Sequence, residues 1–144
     1  MEFIDNSTQL PEDTLVMDNQ ADVIARADEA RSAHAIALQF PKWTDGRAYS
    51  QAVLLRARVR YGGRLIASGE VLADMLPLLQ RCGFDAVQMR ADQNPETALR
   101  TLGVFDHGHL QDPFRTPLHY QASASERRAA EPLPATAPSA GGSR

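Results

Sequence analysis

Two short polar segments contain the residues whose types and spacing are most suited to chemistry. Asp45-Gly46-Arg47, with Ser50, follows an apolar run and opens a helical pattern, and Ser68-Gly69-Glu70 is placed in the same way. A helix N-terminus presents unpaired backbone N–H groups, to which a guanidinium and hydroxyls add further donors. Such donors favour a small anion such as sulfite, sulfate or phosphate. The candidate anion-binding residues are Asp45, Gly46, Arg47, Ser50, Ser68 and Gly69.

A purely structural interpretation of the first segment stands beside this one. Asp45 is a suitable N-cap, whose carboxylate accepts from backbone N–H groups two or three residues on, and Arg47 then pairs with a neighbouring acid. Trp43, next to this turn, is suited either to stacking on a ligand or to covering the edge of the sheet. The residues alone leave both alternatives open.

Strand and helix patterns alternate along the chain and predict the elements that position these turns. Near-continuous apolar runs predict strands over 35–40, 65–67 and 84–89, and 14–17 is a further short strand. Apolar periodicity predicts helices over 21–33, 48–59, 70–81 and 94–102. Gly62 or Gly63 is expected in the left-handed position after the second helix, and Gly83 is the expected glycine cap after the third. Pro77 should kink the third helix or delay its start. The predicted fold class is α/β, with a small three- to four-stranded, mainly parallel sheet of repeated βα units of partial-barrel or doubly wound type. Ligands of such sheets bind beyond the carboxyl ends of the strands, where both polar turns are expected.

The domain organisation follows from where this alternation begins and ends. Residues 1–13 are expected to form a flexible N-terminal arm, and residues 14–103 the α/β domain. Residues 104–120 are interpreted as an irregular docking segment. Beyond residue 121 large apolar side chains are nearly absent, which predicts a disordered tail over 121–144.

The charge distribution suggests a surface for a protein partner. Residues 1–30 contain eight acids and one base, whereas residues 45–65 contain five arginines and one acid. Arg56, Arg58 and Arg60 are the candidate docking residues for an acidic protein. The alternative is an ordinary solvated helix surface.

Several classes of site and location are not expected. The only cysteine, Cys82, excludes an internal disulfide and is expected to be a small buried side chain. His107, His109 and His119 are too weak a pattern to predict a metal site, and no nucleotide or cofactor fingerprint is present, so we expect no metal and no cofactor. No apolar run approaches the roughly 18 residues of a membrane span, and the acidic start is unlike a secretory signal. We therefore expect a cytoplasmic protein with neither a membrane nor a nucleic acid as partner.

A series of motifs in this chain resembles a small bacterial family of unknown function. The motifs occur in the same order and at matching distances over about residues 14–90: Phe40, Asp45-Gly46-Arg47, Tyr49-Ser50, Leu55-Arg56, Arg58, Tyr61-Gly62-Gly63, Ala67, Gly69, Val71 and Arg81-Cys82-Gly83-Phe84-Asp85-Ala86. The chain departs from the family at Ala48, where glycine is usual, at 63–66, where Gly-Glu-Leu-Arg is usual, and at Asp74-Met75, where Asp-Gln is frequent.

The resemblance implies a role in sulfur assimilation. Members of that family are usually labelled as oxidoreductases of sulfite reduction and are typically encoded beside the assimilatory sulfite reductase. The function implied here is an accessory protein that docks to sulfite reductase or to a ferredoxin-like electron donor. The alternatives are a small anion-binding module or enzyme with its site at the Asp45–Arg47 and Ser68–Glu70 turns, and a purely structural subunit. Whether the protein is itself an enzyme stays undecided.

Overall fold

The computed structural model describes residues 1–104, which form one parallel sheet and four α-helices. The strands are β1 (Glu2–Ile4), β2 (Thr14–Met17), β3 (Ala35–Phe40), β4 (Arg64–Gly69) and β5 (Ala86–Gln88), and the α-helices are α1 (Ala27–Ser32), α2 (Arg47–Leu54), α3 (Leu76–Arg81) and α4 (Pro95–Val104). No helix in residues 1–104 has the length and apolar character to cross a membrane. The predicted docking segment beyond its first residue, the predicted tail and all three candidate metal histidines lie outside the described residues.

The five strands lie in the order β1-β5-β4-β3-β2, and every neighbouring pair is parallel. The segments that contain α1, α2 and α3 each connect one strand to its immediate neighbour, so the chain moves across the sheet in one direction from β2 to β5. The predicted α/β class is confirmed. The sheet has one strand more than the three or four expected, because Glu2–Ile4, assigned from the sequence to a flexible arm, pairs with Ala86–Gln88.

The two faces of the sheet are covered differently. Residues from all four helices pack with one face of β3, β4 and β5 into a single apolar core that includes Ile36, Leu38, Phe40, Leu65, Val87, Ala30, Ala52, Leu79 and Ala98. The opposite face buries three alanines and one isoleucine (Ala35, Ala37, Ala86 and Ile66), against which Ile4 and Leu10 pack. The Gln88 amide nitrogen on this face donates to the carbonyl oxygens of Asp5 and Thr8, which holds the β1–β2 connection across the sheet. Placing all helices on one face agrees with the partial-barrel alternative and not with a doubly wound sheet.

The end of α2 differs from the predicted glycine cap. The helix widens into a π-helical turn over Leu55–Val59, and Arg60, not a glycine, takes the left-handed conformation with φ 58°. Neither Gly62 nor Gly63 has a positive φ, so that prediction was wrong. Gly63 is needed for packing instead, since a Cβ there would overlap the ring of Tyr61, whose hydroxyl donates to the Ala33 carbonyl at 3.1 Å.

Of the two effects expected for Pro77, a kink or a late start of the helix, α3 shows the late start. A 3₁₀ turn (Ala73–Met75) precedes the helix, and Pro77 lies in its first turn, where a missing N–H is tolerated. Gly83 ends the helix with φ 98°. This left-handed glycine was correctly predicted from the sequence.

Arg56 connects the end of α2 to the starts of two strands. Its guanidinium donates to the carbonyl oxygens of Tyr61 at 2.7 Å, Gly63 at 2.8 Å and Gly83 at 2.8 and 3.0 Å, and to Asp85 Oδ2 at 2.6 Å. Asp85 Oδ2 also accepts from the Leu65 N–H at 2.9 Å. Only 13% of the Arg56 side chain is exposed. The interpretation of Arg56 as a docking residue was therefore wrong, because its donors are already bound inside the fold.

Replacing Arg56 is expected to destabilise the protein strongly. Arg56→Ala leaves three carbonyl groups and a carboxylate without their charged donor, which costs about 3 kcal/mol in the free energy of unfolding. Arg56→Lys should recover only part of this loss, because an ammonium cannot reproduce the planar fork of donors. Urea denaturation of the two variants and of the wild type measures these differences in the free energy of unfolding.

The matched control is Arg58→Ala, two residues further along. Arg58 is exposed and has no ion pair with any residue of 1–104, so its removal should change stability by about 0.5 kcal/mol or less. Equal effects of the two alanine substitutions would contradict the role assigned to Arg56.

Candidate functional site

Both predicted polar turns lie at the carboxyl edge of the sheet. The first follows β3 and the second ends β4, its immediate neighbour. The N–H of Glu70 donates to the Phe40 carbonyl at 2.8 Å, which joins the second turn to the end of β3. The parallel pairing thus places the two turns together, as expected from the strand pattern.

Asp45 organises the first turn. Its Oδ1 accepts the N–H of Arg47 at 3.0 Å, and its Oδ2 accepts the side-chain amide of Asn19 at 2.6 Å. The Arg47 guanidinium lies 4.0 Å from the same carboxylate. Asp45 therefore caps the start of α2 in the predicted manner, although Gly46 occupies the formal N-cap position. Its carboxylate also occupies the Arg47 N–H that a bound anion would use.

Four of the six candidate anion-binding residues share one surface. Asp45, Gly46, Arg47 and Ser50 line an open depression together with Lys42 and Thr44. Gly69 lines a neighbouring cleft. Ser68 is turned away from the turn: it is buried in the sheet, and its hydroxyl lies 3.5 Å from the Leu38 carbonyl oxygen. Trp43, beside this turn, is 56% exposed.

The neighbouring cleft has a volume of about 350 Å³ and lies beyond the ends of β2, β3 and β4. Its lining residues are Asp18, Asn19, Gln39, Phe40, Pro41, Gly69 and Glu70. The hydrogen bond from Asn19 to Asp45 joins a wall of this cleft to the anion depression. Most of these residues were not predicted from the sequence, although Asp18 and Asn19 carry the same signal as the other turns: polar residues directly after an apolar strand.

An ion-pair network follows β5 at the same edge and was also missed. Arg90 donates to Glu70 at 2.9 Å and to both carboxylate oxygens of Asp92 at 2.6 and 2.7 Å. Asp92, and secondly Glu70, raise the pKa of Arg90, and Arg90 in turn lowers the pKa of Asp92 to about 2. Arg90 therefore holds Glu70 in place and is itself neutralised.

The arginines fall into two groups by their partners. Seven of those in residues 1–104 lie within 4.0 Å of a carboxylate oxygen: Arg26, Arg31, Arg47, Arg56, Arg64, Arg90 and Arg100. Arg58, Arg60 and Arg81 have no ion pair within this part of the chain, and all three are exposed. Arg58 and Arg60 follow α2 and Arg81 is the last residue of α3, which places all three at the amino edge of the sheet, opposite the polar turns. Of the predicted docking residues, Arg58 and Arg60 are thus on the surface.

Burial shapes the surroundings of the Cys82 thiol and, in part, of the Tyr49 phenol. Cys82 is buried, as expected. Burial, with smaller contributions from Cys82 and Asp74, raises the pKa of Tyr49 to about 12, so that this phenol stays protonated. Within residues 1–104, no three His, Cys, Asp or Glu side chains are grouped so that they could hold a metal ion.

Comparison with known protein families identifies the class of protein to which this fold and these turns belong. Residues 14–130 match the family described as bacterial protein of unknown function (DUF934). The match covers most of the chain, and the protein therefore belongs to this family. Comparisons with curated proteins and with solved structures found no match.

The ion pair between Arg90 and Asp92 should make the stability of the fold depend on pH in the acid range. The pKa of Asp92 in the folded protein lies below its ordinary value of 3.8. Its ion pair with Arg90 therefore stabilises the fold fully above pH 3.8, and this stabilisation is lost as the pH falls toward about 2. Arg90→Gln should return the pKa of Asp92 toward 3.8. Carboxyl carbon shifts in an NMR titration measure this pKa directly, and an unchanged Asp92 titration in the variant would contradict the network.

Proposed function

We propose that this protein is an accessory protein of assimilatory sulfite reduction that docks to sulfite reductase or to a ferredoxin-like electron donor. The pathway is supported by the resemblance carried by the motifs between Phe40 and Ala86. The docking surface is supported by one structural observation: Arg58, Arg60 and Arg81 are exposed at one edge of the sheet without acidic partners in residues 1–104.

Arg58, Arg60 and Arg81 differ from the other arginines of residues 1–104 in having no acidic partner there. Most arginines of this domain are paired with carboxylates, whereas these three leave a local excess of positive charge at the amino edge. Such an excess steers an acidic partner toward the surface and orients it, and mainly increases the rate of association. An acidic patch on the partner would supply the carboxylates that these guanidinium groups lack, in a bidentate geometry that arginine favours over lysine.

The backbone of Arg60 adds a second argument for this surface. A left-handed conformation costs a residue with a side chain about 1–2 kcal/mol relative to the right-handed form, and glycine avoids most of that cost. Arg60 occupies this conformation, yet its side chain has no ion pair with residues 1–104. A strained residue whose side chain does not support the fold is a candidate for a role in binding.

Charge reversal at this edge is expected to weaken docking. The double variant Arg58→Glu, Arg60→Glu should bind a partner recovered from sulfate-grown cells about tenfold more weakly at low salt, because like charges replace complementary ones. The difference should shrink as ionic strength rises. Arg100→Glu is the control for charge reversal elsewhere: it reverses one exposed arginine on α4, half the charge change of the double variant, and should bind like the wild type.

A glycine variant separates docking from folding. Arg60→Gly removes the same guanidinium but relieves the left-handed strain, so it should be at least as stable as the wild type while binding the partner more weakly. Wild-type binding by both the glycine and the double-glutamate variants would overturn the docking surface.

The Asp45 depression supports a second candidate, a small anion-binding module or enzyme. The observation that favours it is the placement of two exposed cations, Lys42 and Arg47, with Thr44 and Ser50 hydroxyls beside the start of α2. In this candidate Asp45 orients Arg47 and does not contact the anion. Ser68, being buried in the sheet, takes no part.

Sulfite-dependent thermal stabilisation tests this second candidate. A ligand at about 100 times its Kd adds about 2.7 kcal/mol to the free energy of unfolding, which a melting experiment detects readily. Arg47→Ala should abolish the effect, and Arg58→Ala, which removes an exposed arginine at the opposite edge of the sheet, should preserve it. A wild-type protein that sulfite does not stabilise would rule out this site for that anion.

A further inference from the structure

The cleft beyond β2, β3 and β4 belongs neither to the docking surface nor to the anion depression. Its volume of about 350 Å³ is within the range of small-molecule sites, and it lies at the edge where parallel sheets bind ligands. No side chain can project from its Gly69 wall, since a Cβ there would lie 2.5 Å from the Phe40 carbonyl oxygen. The wall of the cleft at Gly69 therefore consists of backbone alone.

The polar lining consists mainly of hydrogen-bond acceptors. Asp18 and Glu70 contribute carboxylates, and Asn19 and Gln39 contribute carboxamides, while no lysine or arginine is among the lining residues. Asn19 already donates its amide nitrogen to Asp45, which leaves its carbonyl oxygen as an acceptor. This composition opposes an anion and favours a ligand that carries donors and positive charge.

Both acidic residues are held from outside the cleft, Glu70 by its carboxylate and Asp18 by its backbone. Arg90 binds one oxygen of Glu70 at 2.9 Å and is anchored by Asp92. On the other wall, the buried Gln51 donates to the carbonyl oxygens of Asp18 and Ala21 at 2.8 and 3.0 Å, fixing the segment that bears the Asp18 side chain. Side chains fixed before binding lose less conformational entropy when a ligand arrives.

We propose that this cleft binds the primary ammonium group of a small organic cation, between the carboxylates of Asp18 and Glu70. An ammonium has three donors, which match two carboxylates and the Asn19 carbonyl oxygen. Pro41 provides an apolar surface for the carbon chain of such a ligand. A divalent metal ion fits less well, because it requires six or more oxygen ligands, and no metal-holding group of three acidic or histidine side chains occurs in residues 1–104.

The test is an NMR titration of the whole chain with butylamine, which is an ammonium ion at neutral pH, and with butanol as a neutral analogue of the same shape. Butylamine should shift the side-chain amide signals of Asn19 and Gln39 and the backbone signal of Gly69. Butanol should leave them unchanged. Equal shifts with both molecules would overturn the recognition of charge. The same shifts with Mg²⁺ at lower concentration would show that the cleft binds a metal ion and not an ammonium group.

Variants then locate the binding to the cleft. Asp18→Asn keeps the side-chain oxygen that accepts the Gln20 N–H but removes the charge, and should raise the Kd for butylamine about tenfold. Asp22→Asn is the matched control, because it is also a turn-capping aspartate but does not line the cleft. Unchanged binding by Asp18→Asn, or an equal loss in Asp22→Asn, would overturn the proposal. The docking and sulfite experiments use other residues, so they succeed or fail independently.

Discussion

The guanidinium of Arg56 is the interaction on which the rest of this domain depends. Only 13% of the Arg56 side chain is exposed, so its guanidinium must find acceptors for its donors inside the fold, and these acceptors come from two separate segments of the chain, 61–63 and 83–85. By binding the carbonyls of Tyr61, Gly63 and Gly83 together with Asp85, it joins the end of α2 to the starts of β4 and β5. The π-helical turn and left-handed Arg60 lie directly beside this junction.

The one-directional winding of the sheet gives its two edges different chemistry. Every strand ends at one edge, where turn residues with polar side chains collect: cations around Asp45, and acceptors in the cleft beside it. The helices end at the opposite edge, where Arg58, Arg60 and Arg81 lie exposed. A partner docked at the amino edge would leave the carboxyl edge open, so the proposed protein and small-molecule sites do not compete for the same surface.

Much of this organisation could be predicted from local patterns. The bounds of β2 and β3, the Asp45 cap, the left-handed Gly83 and the helix start at Asn94-Pro95 all depend on side chains acting on their own or adjacent backbone. The role of Arg56 could not be predicted in this way, because its acceptors at 83–85 lie nearly thirty residues further along. A charge run on a helix looks the same in the sequence whether its members face water or are buried against distant carbonyls.

Hydrophobic periodicity and turn chemistry are thus enough to specify the βα repeat and the edge at which ligands should collect, since both act over a few residues. Strand β1, the Glu70–Arg90 pair and the turning of Ser68 into the sheet required the assembled fold. Each depends on which strands become neighbours and in what register, and a one-residue shift in register would exchange the buried and exposed side chains of a strand. The kind of candidate site therefore follows from local sequence, whereas the side chains that lie together in it depend on pairing between distant segments.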